Sequence, residues 1–188
     1  KAYQVADEFF SQMDERKYEP DVSAKMADLL VLQQRVVEAI DTYEHLQTKW
    51  PLAEKNPIYQ KTIADLFIEM EDVDAYYDTM EVLSQRYNEN SDWWRENRNN
   101  PKALDRARGY IEVSLRQVAD RQFARAAESG EQEDFSRAAD LYGEYLSKFP
   151  FADGYYVAQW FMCEALMLAQ RFEDASLQYQ QMLKSREN

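Results

Sequence analysis

A recurring spacing of small, large and proline residues constrains the fold of this chain more than any other feature. The same offsets of four, seven and twelve residues from an alanine occur twice: Ala138, Tyr142, Tyr145 and Pro150, and Ala39, Tyr43, Leu46 and Pro51. Offsets of four and seven residues fall on one face of an α-helix, and proline cannot continue the helix because it lacks the N–H. Each copy therefore predicts one amphipathic helix with a defined end.

A second helical pattern precedes each of these helices, so that the repeating unit is a helix pair. The units span about 34 residues each and cover 20–53, 57–90, 119–152 and 156–188. The segment 91–118 breaks the period, and the pattern that starts at Pro101 predicts one long helix of about 28 residues. Residues 1–17 predict a leading helix. We therefore predict a single all-α domain over 1–188.

A two-helix unit of this length resembles the tetratricopeptide repeat (TPR). The family expects a small residue at position 8 of each unit, and all four units have one: Ala27, Ala64, Ala126 and Cys163. Position 20 is also expected to be small, and here it is Ala39, Tyr76, Ala138 and Ala175. Small residues at a helix crossing let the two backbones approach closely. The resemblance implies a right-handed superhelix of antiparallel helix pairs, a TPR-like α-solenoid with about four divergent repeats.

The units depart from the family at position 4, which is usually a large aromatic residue. Here that position is small or polar: Ser23, Gln60, Gln122 and Gln159. The aromatic-plus-proline ending of the second helix is similar to that of bacterial cell-envelope TPR proteins such as BamD and CpoB. That similarity implies a periplasmic or membrane-associated protein whose leader has been removed, whereas the residues themselves leave the compartment unknown.

Composition argues against catalysis and against nucleic-acid binding. The chain has one histidine, His45, and one cysteine, Cys163, so zinc sites and histidine-assisted nucleophiles lack the residues that they need. We expect no metal, no cofactor and no enzyme activity, with His45 at the surface and Cys163 packed at a helix crossing. The net charge of −13 disfavours binding to phosphates and favours a neutral to basic protein partner. No run of residues is long and apolar enough to span a bilayer.

In the TPR family the first helix of each unit lines an inner groove. Carried over position by position, this gives seven candidate partner-binding residues: Asp28, Lys61, Asp65, Phe123, Trp160, Glu164 and Met167. The resemblance thus implies an acidic, partly aromatic concave groove. Trp160 is either an anchor for a peptide side chain or a residue that packs on a neighbouring unit. Only Lys61 matches the clamp with which chaperone-binding members hold a C-terminal carboxylate, so we expect no such clamp.

Two adjacent tryptophans, Trp93 and Trp94, lie in the irregular segment. Neighbouring residues of a helix point to different sides, so the two rings cannot share one face. Either at least one is an exposed anchor for a partner, or the pair plugs the joint between the two halves of the chain.

These observations together predict a non-catalytic scaffold that binds a partner protein or peptide through its concave groove, with a role in bacterial cell-envelope assembly implied by the resemblance. Two alternatives stay open. The chain could be a superhelical accessory domain of a larger cell-wall enzyme, or a multimerisation module. The oligomeric state does not follow from the sequence.

Overall fold

The computed structural model describes residues 2–12 and 18–185, and within them every regular element is an α-helix. The helices are α1 (Ala2–Ser11), α2 (Glu19–Leu32), α3 (Val36–Lys49), α4 (Asn56–Glu69), α5 (Val73–Arg86), α6 (Asp92–Glu96), α7 (Pro101–Ser129), α8 (Gln132–Lys148), α9 (Tyr155–Leu168) and α10 (Phe172–Ser185). The predicted all-α fold of TPR-like helix pairs is confirmed. The chain divides into two compact units, 1–110 and 111–188, and each is described by itself.

Three helix pairs, α2–α3, α4–α5 and α9–α10, are joined by the same tight turn. Its middle residue has a positive φ of about 60° in each case: Gln34, Glu71 and Gln170. The next N–H then donates to the carbonyl five residues earlier, at 2.9 Å each time: Arg35 to Leu30, Asp72 to Phe67, and Arg171 to Leu166. This is the Schellman ending of a helix, which usually carries glycine at the left-handed position. Because these turns lack glycine, sequence reasoning located the helix ends but not the turn.

The small residues predicted at the helix crossings are fully buried, as expected. Those at position 8 are Ala27, Ala64, Ala126 and Cys163, and those at position 20 are Ala39, Ala138 and Ala175. The exception at position 20, Tyr76, is also buried, and its ring packs edge-on against Tyr77 with 5.1 Å between centroids. The close approach of helices that the repeat pattern predicts is therefore present in both units.

The predicted helix ends are also confirmed. Helix α3 ends two residues before Pro51, and α8 ends two residues before Pro150. In the unit where Asn88 stands in place of the proline, its side-chain amide donates to the carbonyls of Ser84 and Gln85 at 3.1 and 2.7 Å. Asn88 thus satisfies two of the carbonyls that the end of α5 leaves without helical partners.

The irregular segment contains the short helix α6 and the first part of α7. Ser91 caps α6, because its hydroxyl accepts a hydrogen bond from the N–H of Trp94 at 3.1 Å. The long helix is confirmed as α7, which has 29 residues. The side chain of Asn100 accepts from the N–H of Ala103 at 3.2 Å and caps its start.

Helix α1 covers Ala2–Ser11 of the helix predicted over 1–17, of which residues 1 and 13–17 lie outside the described part. Of its apolar side, Phe10 is buried, whereas Val5 and Phe9 are exposed. Asp7 connects α1 to α3, with carboxylate oxygens 2.8 Å from Nε2 of His45 and 2.6 Å from Nζ of Lys49. Burial alone would raise the pKa of Asp7, but hydrogen bonds from Lys49 and His45 hold it below its usual value. His45 is partly exposed, as predicted.

Candidate functional site

The seven candidate residues divide between the two compact units. The first unit contains Asp28 on α2 and the pair Lys61 and Asp65 on α4. The second unit contains Phe123 on α7 and three residues of α9: Trp160, Glu164 and Met167. Their assignment to a partner stays a prediction, and their surroundings differ in ways that the repeat positions alone do not reveal.

Asp28 is oriented by a tyrosine from the second helix of its own pair. The hydroxyl of Tyr43 donates to a carboxylate oxygen of Asp28 at 2.7 Å. Burial of the phenol, and then its hydrogen bond to Asp28, raise the pKa of Tyr43 well above its usual value, so the hydroxyl keeps its proton. The Asp28 side chain is nevertheless about half exposed. It is therefore both a structural acceptor and a surface charge.

Glu164 has the same arrangement in the α9–α10 pair. The hydroxyl of Tyr179, fifteen residues later, donates to Glu164 at 2.6 Å. That hydrogen bond, together with burial, raises the pKa of Tyr179 to about 12. In the α7–α8 pair the hydroxyl of Tyr142 donates to Asp120 at 2.8 Å. Sequence reasoning assigned the acids and missed these tyrosine partners, although a tyrosine fifteen residues after the acid was visible in two units.

The α4–α5 pair lacks this hydrogen bond because Met80 occupies the position of the tyrosine. Asp65 instead forms an ion pair with Lys61, one helical turn away. The Asp65 side chain is more than half exposed, and exposed pairs of this kind contribute only about 0.3–0.5 kcal/mol to stability. These two charges are therefore held weakly and can be rearranged by a partner at small cost.

Helix α9 presents an apolar surface, which we call the α9 face: Tyr156, Val157, Trp160, Met167 and Leu168, with Glu164 among them. All five apolar residues are exposed, and Trp160 has 44% of its surface accessible. The Trp160 ring packs edge-on against Phe161, with 5.0 Å between centroids. Exposed apolar patches of this kind mark interaction surfaces in soluble proteins.

Phe123, which is predicted to face a partner, is partly buried and packs against other rings of the second unit. Its ring lies edge-on to Phe161 at 5.3 Å and to Phe135 at 5.7 Å between centroids. It also contacts the buried alanine cluster of α8 to α10. Phe123 therefore supports Phe161, on which Trp160 rests. The ring is partly buried, and its role as a contact residue stays a prediction.

The two tryptophans of the irregular segment have different surroundings. Trp93 is only 1% exposed; its indole N–H donates to the carbonyl of Ala53 at 2.7 Å, and its ring packs edge-on against Tyr87. Of the two alternatives, an exposed anchor is therefore wrong for Trp93, which fills the interior of the first unit. Trp94 is partly exposed, and the guanidinium of Arg108 lies 5.5 Å from its ring centroid.

Other kinds of site find little support in the described part of the chain. No group of three or more His, Cys, Asp or Glu side chains there could hold a metal ion. Cys163 is buried, and burial raises the pKa of its thiol, which disfavours the reactive thiolate. None of the described helices combines the length and the apolar character that crossing a membrane requires.

Comparisons with known proteins are few. No protein-family model matches the chain, and no curated protein matches it. Two solved structures, both of nearly identical TPR-like repeats of a kinesin light chain-like protein from Podosopora anserina, are 12% identical to it. One covers 94% of this chain and 100% of its own with a TM-score of 0.32, and the other 92% and 96% with 0.31. Because superposition at this level is poor, the TPR-like classification rests on the helix pairs of the chain itself.

Proposed function

We propose that this chain is a non-catalytic scaffold that binds a partner protein or peptide. The observation that carries the proposal is the exposed α9 face with Trp160 at its centre. Tryptophan is enriched among the residues that contribute most to binding energy in protein interfaces. The ring is held on one side by Phe161, so little conformational freedom is lost when a partner covers the other side.

The chemistry of the α9 face favours a partner that combines apolar and basic side chains. Glu164 lies one turn after Trp160 and is oriented by Tyr179, so a carboxylate is fixed inside an apolar surface. A lysine or arginine of the partner would meet this charge, and apolar side chains would cover Trp160 and Met167. The net charge of −13 acts in the same direction and disfavours nucleic acid.

We extend the proposal to the acidic residues of the first unit. Asp28 and Asp65 lie on the first helices of their pairs, and both carboxylates are accessible. They would form a second acidic contact surface for a neutral to basic partner. A role in bacterial cell-envelope assembly is part of the proposal on the resemblance of the helix endings alone.

The test compares Trp160→Ala with a control that removes another exposed aromatic ring. Wild-type protein is first used to capture and identify a partner from native extract, and the purified partner is then titrated against each variant. Trp160→Ala should weaken binding by about 2 kcal/mol or more, roughly thirtyfold. Phe151→Ala, which removes a ring that is 97% exposed and lies outside α9, should bind as wild type does. Equal binding by both variants would exclude the α9 face.

The contribution of the first unit is tested by reversing a charge. Asp65→Lys places a second cation beside Lys61 and should weaken capture of a basic partner, mainly by slowing association. Glu96→Lys makes the same charge change at an exposed position of α6, away from the candidate set, and it separates a local effect from a change in net charge. If both variants lost the same amount of partner binding, the effect would come from net charge and not from the position of Asp65.

A multimerisation module is the second candidate, and exposed apolar residues on two helices favour it. These residues are Val5 and Phe9 of α1, and Phe172, Leu177 and Leu183 of α10. Sedimentation over a wide concentration range tests this function. A mass that rises with concentration in the wild type, and not in Leu177→Glu, would favour it over a monomeric scaffold.

A further inference from the structure

A polar cavity of about 370 Å³ lies in the first unit among α3, α4 and α5. The residues that matter for its chemistry are Glu44 and Gln47 of α3, Gln60 of α4, and Asp78, Val82 and Arg86 of α5. Ligand pockets typically measure about 300–1,000 Å³, whereas one water molecule occupies about 30 Å³ of liquid. The cavity is thus large enough for a side chain. It shares no residue with the α9 face or with the set Asp28, Lys61 and Asp65.

The cavity borders a position where the chain has glutamine and its TPR resemblance implies an aromatic ring. Gln60 is buried, and its side-chain amide nitrogen donates to the carbonyl of Thr79 at 3.2 Å. A glutamine side chain occupies less space than an indole or phenol. The bonded Gln60 therefore lines the cavity with a polar group without filling it.

Gln47 supplies a buried hydrogen-bond donor that is unpaired within the described part of the chain. The residue is only 3% exposed, and its amide oxygen accepts from the hydroxyl of Tyr87 at 2.7 Å. Burial raises the pKa of Tyr87 to about 12, against the lowering effect of Arg86, so the phenol keeps the proton that it donates. The amide nitrogen of Gln47 is buried and has no hydrogen-bond partner in the described residues. Leaving such a group unpaired is unfavourable, and a guest with an acceptor oxygen would recover part of that cost.

The charged side chains around the cavity favour a cation. Glu44 and Asp78 contribute two negative charges and Arg86 one positive charge, so the lining has a net negative charge. Val82 provides an apolar contact for an aliphatic stem. The cavity therefore combines a donor, carboxylates and an apolar wall.

We propose that this cavity binds a basic residue, lysine or arginine, of a peptide. The main-chain carbonyl of that residue accepts from the amide nitrogen of Gln47, and its cation lies near Glu44 and Asp78. Val82 contacts the aliphatic part of the side chain. The inference is separate from the proposed function, because it needs neither the α9 face nor a particular partner protein.

The experiment is a titration of the isotope-labelled full chain, followed by ¹H–¹⁵N NMR, with N-acetyl-L-lysine amide and with N-acetyl-L-arginine amide. At least one should cause saturable shifts of the Gln47 side-chain amide and of the Thr79 and Val82 backbone amides. N-acetyl-L-norleucine amide has a similar chain without the charge and should bind several-fold more weakly.

Variants assign the binding to the cavity. Asp78→Asn and Glu44→Gln remove one charge each and should each weaken the affinity about two- to fivefold. Gln60→Trp places a large ring beside the cavity and should abolish the shifts. Glu81→Gln changes an exposed acid of α5 outside the cavity and should leave the affinity unchanged.

Three outcomes would overturn the proposal. The first is the absence of saturable shifts at Gln47 with either basic probe, which would mean that the cavity holds only water. The second is equal affinity for the norleucine probe, which would show that charge is not recognised. The third is binding unchanged in both Asp78→Asn and Glu44→Gln. These two variants change exposed side chains and keep the test decisive even if Gln60→Trp does not fold.

Discussion

The tryptophans of α6 and α9 are used in opposite ways. Trp93 lies in the segment that breaks the repeat, is 1% exposed and donates its indole N–H to Ala53. Trp160 lies on a regular first helix of a repeat and is 44% exposed, with its ring resting on Phe161. The irregular segment thus contributes a ring to the interior of its unit, and the regular repeat contributes an exposed ring to the α9 face. Irregularity in a repeat is therefore no sign, by itself, of a binding site.

The largest expected effect comes from Trp93→Ala. Removing a fully buried ring should lower the free energy of unfolding by about 3–5 kcal/mol, because a cavity is left and the Ala53 carbonyl loses its donor. Urea denaturation followed by circular dichroism measures this. Trp94→Ala is the matched control and should cost clearly less, since that ring is partly exposed. If Trp93→Ala and Trp94→Ala lost the same unfolding free energy, the two rings would not differ in their contribution to stability.

A smaller effect is expected from Tyr43→Phe, which removes one hydroxyl. The change should cost about 1–2 kcal/mol of unfolding free energy, somewhat below the usual value for a bond to a charged group, because the half-exposed Asp28 can be rehydrated. The same denaturation assay applies, with Tyr18→Phe as a control at an exposed ring. If Tyr43→Phe leaves the unfolding free energy unchanged, the hydrogen bond does not stabilise the fold, and partner binding would be the one remaining role for Asp28.

The buried phenols also predict a stability that falls in alkali. A tyrosine in the unfolded chain ionises near pH 10, whereas folding raises the pKa of Tyr87 and Tyr179 to about 12. Between these values the unfolded state binds fewer protons, so stability is full below pH 10 and is lost as the pH rises toward 12. Unfolding free energies at pH 8, 10 and 11 measure the slope. Tyr87→Phe should make it shallower, and an unchanged slope would contradict this account.

The smallest effect on stability is expected from Trp160→Ala. Because 44% of the residue is already exposed, we expect a loss of less than about 1 kcal/mol in the same urea assay. The helical content should be unchanged. A loss as large as that of Trp93→Ala would make Trp160 a structural residue and remove the main support for the α9 face.

The helices of this fold were largely predictable from the sequence. Helix periodicity and the stops at Pro51 and Pro150 located second helices, and the small residues at the crossings identified the pairing. Such signals are local, since they depend on residues three to twelve positions apart. The turns at Gln34, Glu71 and Gln170 were less visible, because the residue that usually marks them is glycine.

The candidate site was predicted less well. Repeat positions located Trp160 at an exposed position and Asp28 and Glu164 at partly exposed positions of first helices. They could not show that Tyr43 and Tyr179 already bond the two acids. They also placed Phe123 at a surface, where the structure has a partly buried ring against Phe161. Whether a ring or an acid is available depends on neighbours from another helix.

The sequence by itself determined the class of fold, the length of α7 and the small residues at the helix crossings, because each follows from helix geometry and from side-chain volume. Only the tertiary structure decided that Trp93 is interior and Trp160 exposed. It also decided that the amide nitrogen of Gln47, beside a polar cavity, has no hydrogen-bond partner among the described residues. Those properties arise from contacts between segments many residues apart, such as Trp93 with Ala53 and Gln47 with Tyr87. Burial is a property of the packed helices together, and no single helix contains the information.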